Sequence, residues 1–96
     1  MIMDLWDIGG RRKVPDGEWD NFCRVLQSVR GVKFVLGSLL LDCGARFIDG
    51  ERLILQFRNA VNRDRFAEEL LQPRAHGAVV GASVVAFGRG YEVQVF

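Results

Sequence analysis

ARFIDGERLILQFR, residues 45–58, is the stretch from which the fold can be worked out. Strand-like residues flank Asp49-Gly50, and an Asp-Gly pair between two such runs marks a β-hairpin. A two-residue Asp49-Gly50 loop suits a type I′ turn, where both central residues need φ > 0 and Gly adopts that conformation without a Cβ clash. The second strand alternates, with Leu53, Leu55 and Phe57 pointing one way and Arg52, Ile54, Gln56 and Arg58 the other. A two-stranded hairpin is not stable alone in water. The segments on either side must therefore cover its Leu/Leu/Phe face.

Just before the hairpin, a helix is expected from about Val32 to Asp42. Val32, Val35, Leu36, Leu39, Leu40 and Cys43 form its core side, and Gly44 ends it. Phe34 and Leu41 lie off that stripe. Burial between an earlier helix and the sheet accounts for them, and an exposed apolar patch awaiting a partner is the other explanation. The earlier helix opens at Asp16 as N-cap, with Glu18 in its first turn favourable to the dipole. Trp19, Phe22, Cys23, Leu26 and Val29 recur at three- and four-residue spacing, while Asp20, Asn21, Arg24 and Gln27 supply the solvated face. Gly31 breaks this helix after Arg30. Residues 1–15, MIMDLWDIGGRRKVP, show no sustained period and read as a tail or linker end, which leaves 16–96 as one interaction-sized domain. Trp6 in that tail either folds back onto the domain or docks on a partner.

Beyond the hairpin, Asn59 or Asn62 caps another helix, with Phe66, Ala67, Leu70 and Leu71 as its buried stripe. Arg63, Asp64, Arg65, Glu68 and Glu69 face water, Arg65 and Glu69 forming an i,i+4 pair. Pro73 stops that helix or begins the next. The stretch 74–88 is ambiguous on local evidence. Val80, Val84 and Phe87 keep helical spacing with Gly88 as a C′ stop, and a poorer alternation runs through Val79, Gly81 and Ser83. Tyr91 to Phe96 is a strand, with Tyr91, Val93 and Val95 on one face. The order α-α-β-β-α-(α)-β predicts an α+β domain. Its last strand joins the hairpin after a right-handed helical crossover, giving a three-stranded mixed sheet covered by helices.

Composition bounds what such a domain can do. The chain has 96 residues, 49% of them hydrophobic and 26% charged, with a net charge of +1. One domain of this size buries a modest core without staples, and the charge makes it no trap for nucleic acid or anionic membrane. No apolar run approaches the roughly 20 residues needed to span a bilayer, and no signal-peptide pattern opens the chain. A soluble, cytoplasmic protein is expected, with Cys23 and Cys43 as reduced core thiols; a disulfide between facing helices is the alternative.

Chemistry is mostly missing. No GxxxxGK[ST] or GxGxxG spacing is present, Gly88-Arg89-Gly90 being a turn. The single histidine, His76, and the two cysteines have no metal-ligand spacing, and no cofactor is expected. Ser83 lacks a nucleophile elbow, and Glu68-Glu69 point to different helical faces. The chain does not read as an enzyme. A small α/β module of this kind resembles KH domains, but a KH domain clamps nucleic acid with a GXXG loop, and here the glycines Gly77 and Gly81 are spaced GxxxG. Arg52, Arg58, Arg63 and Arg65 cluster where the second hairpin strand meets the following helix, balanced by Asp64, Glu68 and Glu69 and without interleaved aromatics. Nucleic acid is not expected as the main ligand.

One larger pattern covers about Trp19 to Phe96: a tryptophan opening the first helix, the hairpin FIDGERLILQF (47–57), the helix RDRFAEELLQP (63–73) and the exit GRGYEVQVF (88–96). It resembles the C-terminal domain of the tau/gamma subunit of bacterial DNA polymerase III, the clamp-loader ATPase subunit, whose ATPase machinery lies elsewhere in that chain. It is also similar to the N-terminal domain of the bacterial replication initiator protein, a self-associating module. The tau/gamma resemblance implies a KH-like fold with a helix before the last strand, and a docking function that ties the clamp loader to the polymerase catalytic subunit. In that family this helix usually carries charge, whereas AHGAVVGASVVAF (75–87) has almost none. No contact motif transfers. The charge cluster alone nominates Arg58, Arg63 and Arg65 for an acidic or flexible partner segment.

Overall fold

The computed structural model describes residues 11–31 and 33–96. Its centre is the expected hairpin, β2 (Cys43–Asp49) paired antiparallel with β3 (Arg52–Phe57). The turn is shifted by one residue. Asp49 pairs with Arg52, so the loop is Gly50-Glu51 and Asp49 ends its strand. Gly50 has φ +61° and Glu51 keeps a negative φ, the type II′ arrangement with Gly first, in place of the expected I′ turn. Asp49 is held in the strand by register and by Arg11, whose guanidinium is 3.8 Å from its carboxylate.

The sheet has four strands, not three. Arg11–Lys13, expected in a tail, form β1 antiparallel to β2, and Val14 beyond it is wholly buried. β4 (Glu92–Val95) runs parallel to β3, giving a mixed sheet in the order β1-β2-β3-β4. A parallel neighbour needs a crossover. Here it consists of α3 (Ala60–Leu70) and α4 (Pro73–Phe87). α1 (Asp16–Leu26) and α2 (Leu36–Leu39) join them in one core with Ile48, Leu53 and Leu55 from the sheet. Phe22, Leu26, Leu36 and Phe66 fill its centre, fully buried. Ile54, expected on the solvent side, is only 5% exposed and Phe47 only 6%. The two are paired directly across β2 and β3 on the face away from that core, and apolar cross-strand neighbours shield one another.

Several local expectations fail for tertiary reasons. The helix expected over 32–42 shrinks to α2 and a 3₁₀ turn, Leu40–Asp42. Val35 is extended and bridges to Arg30, closing a tight loop in which the Gly31 amide donates to the Phe34 carbonyl at 2.9 Å. What organises that loop is Glu69. Expected in water beside Arg65, it is 3% exposed, and its Oε1 accepts the Lys33 amide at 3.0 Å. Arg65 instead lies over the Phe34 ring, 5.0 Å from the centroid. Cys43 and Gly44 leave the helix and open β2, with an irregular register between Cys43 and Ala45. α1 ends at Leu26, short of Gly31, and Asp16 is its first residue, with Pro15 in the cap position. Leu71, expected in the buried stripe, is exposed just past α3. Val32 and residues 1–10, which include Trp6, lie outside the described residues.

The C-terminal half follows its local signals. The Asn59 side chain caps α3 by accepting the Val61 amide at 2.8 Å. Pro73 stands at the start of α4, where its missing N–H costs nothing. The ambiguous segment is a helix, ended by Gly88 at φ +86°. Ser83, buried in α4, ties that helix to the strand after it. Its hydroxyl lies 2.7 Å from the Val80 carbonyl oxygen and 3.0 Å from that of Arg89, and it accepts the Tyr91 amide at 2.9 Å.

Candidate functional site

The three arginines nominated from the sequence are separated by the fold. Arg63 is in the first turns of α3 and pairs with its neighbour Asp64 at 3.0 Å. Arg65, two residues further and therefore on the opposite side of the helix, lies over Phe34 and donates to Asn62 at 3.4 Å. Arg58, just past β3, faces the other side and lines a groove of about 670 Å³ that neither of the other two lines.

Among the described residues this groove is a wide, open concavity lined by both charged and apolar side chains. α1 forms one wall with Asp16, Asp20, Arg24 and Gln27, positioned by the helical repeat that buries Trp19 and Phe22 behind them. Leu41, Arg46 and Arg58 form the other wall, and Trp19, Cys23, Leu40 and Cys43 make the floor. Leu41 is 76% exposed at the rim, whereas Phe34 is half-buried against the core.

Each arginine of the groove has a different status. Arg46 is bound to the wall: it pairs with the Asp16 carboxylate and lies over the Trp19 ring, 5.0 Å from the centroid. Among the described residues its Nε is buried without an acceptor, beside the ion pair and the ring contact that the same guanidinium makes. Arg24 donates to Asn21 at 3.2 Å. Arg58 is tied through its backbone, its amide donating to the Asp42 carbonyl at 3.0 Å. Its stem crosses Gly44 so closely that a Cβ there would sit 3.1 Å from Arg58 Cγ. Among the described residues its guanidinium makes no hydrogen bond or ion pair.

The two thiols share the floor. Both are free, and burial pushes each up to about 11, Cys43 adding to the rise at Cys23. The Cys43 S–H donates to the Ala45 carbonyl at 3.2 Å. Thiols held protonated in this way are poor nucleophiles and poor metal ligands at neutral pH. Among the described residues no group of three His, Cys, Asp or Glu side chains could hold a metal ion, and no helix is long and apolar enough to cross a membrane. His76, expected as a loop or helix-start residue, is near the start of α4 and meets Glu92 at 3.2 Å.

Sequence reasoning found Arg58 but missed Arg46 and Arg24 as its companions in the groove. Arg24 was readable as part of a solvated helix face. Nothing local shows that this face looks across at β2. Comparison of the chain with known protein families, with curated proteins and with solved structures finds no match.

Proposed function

We propose that this chain is a non-catalytic protein–protein docking domain, of the kind that the bacterial DNA polymerase III tau/gamma subunit carries at its C-terminus. In that role it ties the clamp loader to the polymerase catalytic subunit in the bacterial cytoplasm, as part of the replisome. The observation that carries this reading is a surface groove with a pre-positioned Arg58 and an exposed Leu41 beside it, on a domain whose thiols are held protonated. The order of elements from Asp16 onward supports it, because two helical segments, the hairpin, two helices and a last strand follow the KH-like pattern of that family. Tethering makes a moderate contact effective, since a linker raises the local concentration of the two partners.

The test is binding of purified polymerase catalytic subunit. Replacing Arg58, Arg63 and Arg65 together by Ala is expected to weaken binding while the circular dichroism of the domain stays unchanged. Unchanged affinity removes those residues from the interface, and no binding by the parent domain sinks the function. Two controls address the alternatives. Titration with single-stranded DNA and RNA at low salt is expected to show nothing, because a KH-like nucleic-acid module would bind with strong salt dependence. Sedimentation at several concentrations is expected to give a monomer, against the self-association of an initiator-type domain.

A further inference from the structure

We propose that the groove between α1 and the start of β2 receives a carboxylate-bearing segment of a protein partner. Arg58 and Arg24 take the carboxylates, and Leu41 meets an apolar side chain next to them. This rests on the docking-domain reading and adds the chemistry of the partner. Arg58 is the anchor because the fold lays down its stem while its exposed guanidinium makes no hydrogen bond or ion pair among the described residues and is open to a ligand. Its amide is tied to Asp42 and its stem is laid across Gly44. A planar guanidinium fits a carboxylate bidentately, and a stem already in place leaves less freedom to lose on binding. Asp16 and Arg46 neutralise each other. Among the described residues lining the groove, Arg24 and Arg58 then face Asp20, an excess of one positive charge, with the Asp42 carboxylate just outside and accepting the Asn59 amide. An apolar side chain left 76% exposed beside such cations is the arrangement of a contact centre with a polar surround.

Other occupants fit less well. A nucleic-acid strand needs open aromatic faces and a wall free of carboxylates, whereas Trp19 is buried under Arg46 and Asp20 lines the wall. A second copy of the chain would bring the same positive excess against itself across a two-fold axis.

The probe is a short acetylated peptide of Asp, Leu and Ala, titrated into ¹⁵N-labelled domain, with the Asn-for-Asp peptide as its neutral match. Amide shifts are expected at Arg24, Leu41, Gly44 and Arg58. Arg58→Gln and Leu41→Ser should each weaken the acidic peptide about tenfold, and Arg63→Gln on α3 should not. Equal binding of the neutral peptide, shifts that map elsewhere, or no shifts overturns the proposal. So does concentration-dependent dimerisation abolished by Leu41→Ser. The same variants tested against the catalytic subunit separate the two readings. Binding that survives Arg58→Gln and Leu41→Ser keeps the docking domain and discards the groove. Peptide shifts in the groove with no catalytic-subunit binding do the reverse.

Discussion

Glu69 and Gly31 show how a single pair of residues decides a loop. A Cβ at residue 31 would stand 1.8 Å from Glu69 Oε2. Gly31 is therefore required for space and not for its backbone angle, since its φ is outside the left-handed region. The buried carboxylate cannot swing away without giving up the Lys33 amide. Gly31→Ala should destabilise the fold by about 1–3 kcal/mol, the cost of leaving a buried hydrogen-bonding group unsatisfied. In a Glu69→Ala background the same change should cost little. A urea-denaturation cycle checks this, and additive costs would mean that the two residues act separately. The groove thiols give a second measurement at this scale. With each thiol raised to about 11, the thiolate at pH 8 is on the order of a thousandth of the total. Iodoacetamide labelling should climb about tenfold per pH unit from 8 to 10. A plateau near pH 9 would show ordinary, solvated thiols. Because their pKa is higher in the folded protein than in the unfolded chain, their contribution to stability is whole below pH 9. It is lost as pH rises towards 11. Glu69 had one legible signal in the sequence: it follows Phe66 by three residues, on the side that the helix buries. Its charge argued the other way, and nothing local announces the amide it accepts.

At the scale of elements, glycines with opposite expected effects separate turn from helix. Gly50 sits at φ +61° in the hairpin turn, where a Cβ finds open space but a strained backbone. Gly50→Ala should cost about 1 kcal/mol. Gly77 and Gly81 lie inside α4, also with open space at the Cβ position and with ordinary helical φ. Replacing either by Ala should raise stability by about 0.5–1 kcal/mol, because Gly loses more backbone entropy in a helix than Ala does. Thermal melts of the three variants give the comparison. Loss of stability in Gly81→Ala would show that the α4 surface is packed against something at that point. The hairpin was legible because an alternating strand and a glycine turn are local, while the turn slipped by one residue and changed type, and Ile54 became buried. Asp49 was free to be either turn or strand, and pairing with Arg52 and contact with Arg11 placed it in the strand. The helix over 32–42 failed for a related reason. Its apolar spacing was genuine, yet the loop held by Glu69 competes with helix for the same residues.

For the whole molecule, the groove lies where α1 meets the start of β2, and Asp16, Arg46 and Trp19 link its two walls. A contact resting on partly exposed cations should be screened. If the proposed docking holds, binding of the polymerase catalytic subunit weakens as salt rises, mainly through the association rate. Affinity independent of salt in a stopped-flow series would place the contact on an apolar surface elsewhere.

By itself the sequence determined that a hairpin, a helix capped at Asn59 or Asn62 and a last strand are present, and it offered Pro73 and Gly88 as bounds of a segment that it left between helix and strand. Each rests on interactions within a few residues: turn geometry, capping and apolar period. Tertiary structure alone decided that Arg11–Lys13 add a fourth strand, that Glu69 goes inside to hold a loop 36 residues away, and that Arg58 parts company with Arg63 and Arg65. Those outcomes depend on which surfaces meet. Three strand-length residues, a glutamate and a run of arginines look alike in the sequence whether their neighbours are solvent or protein.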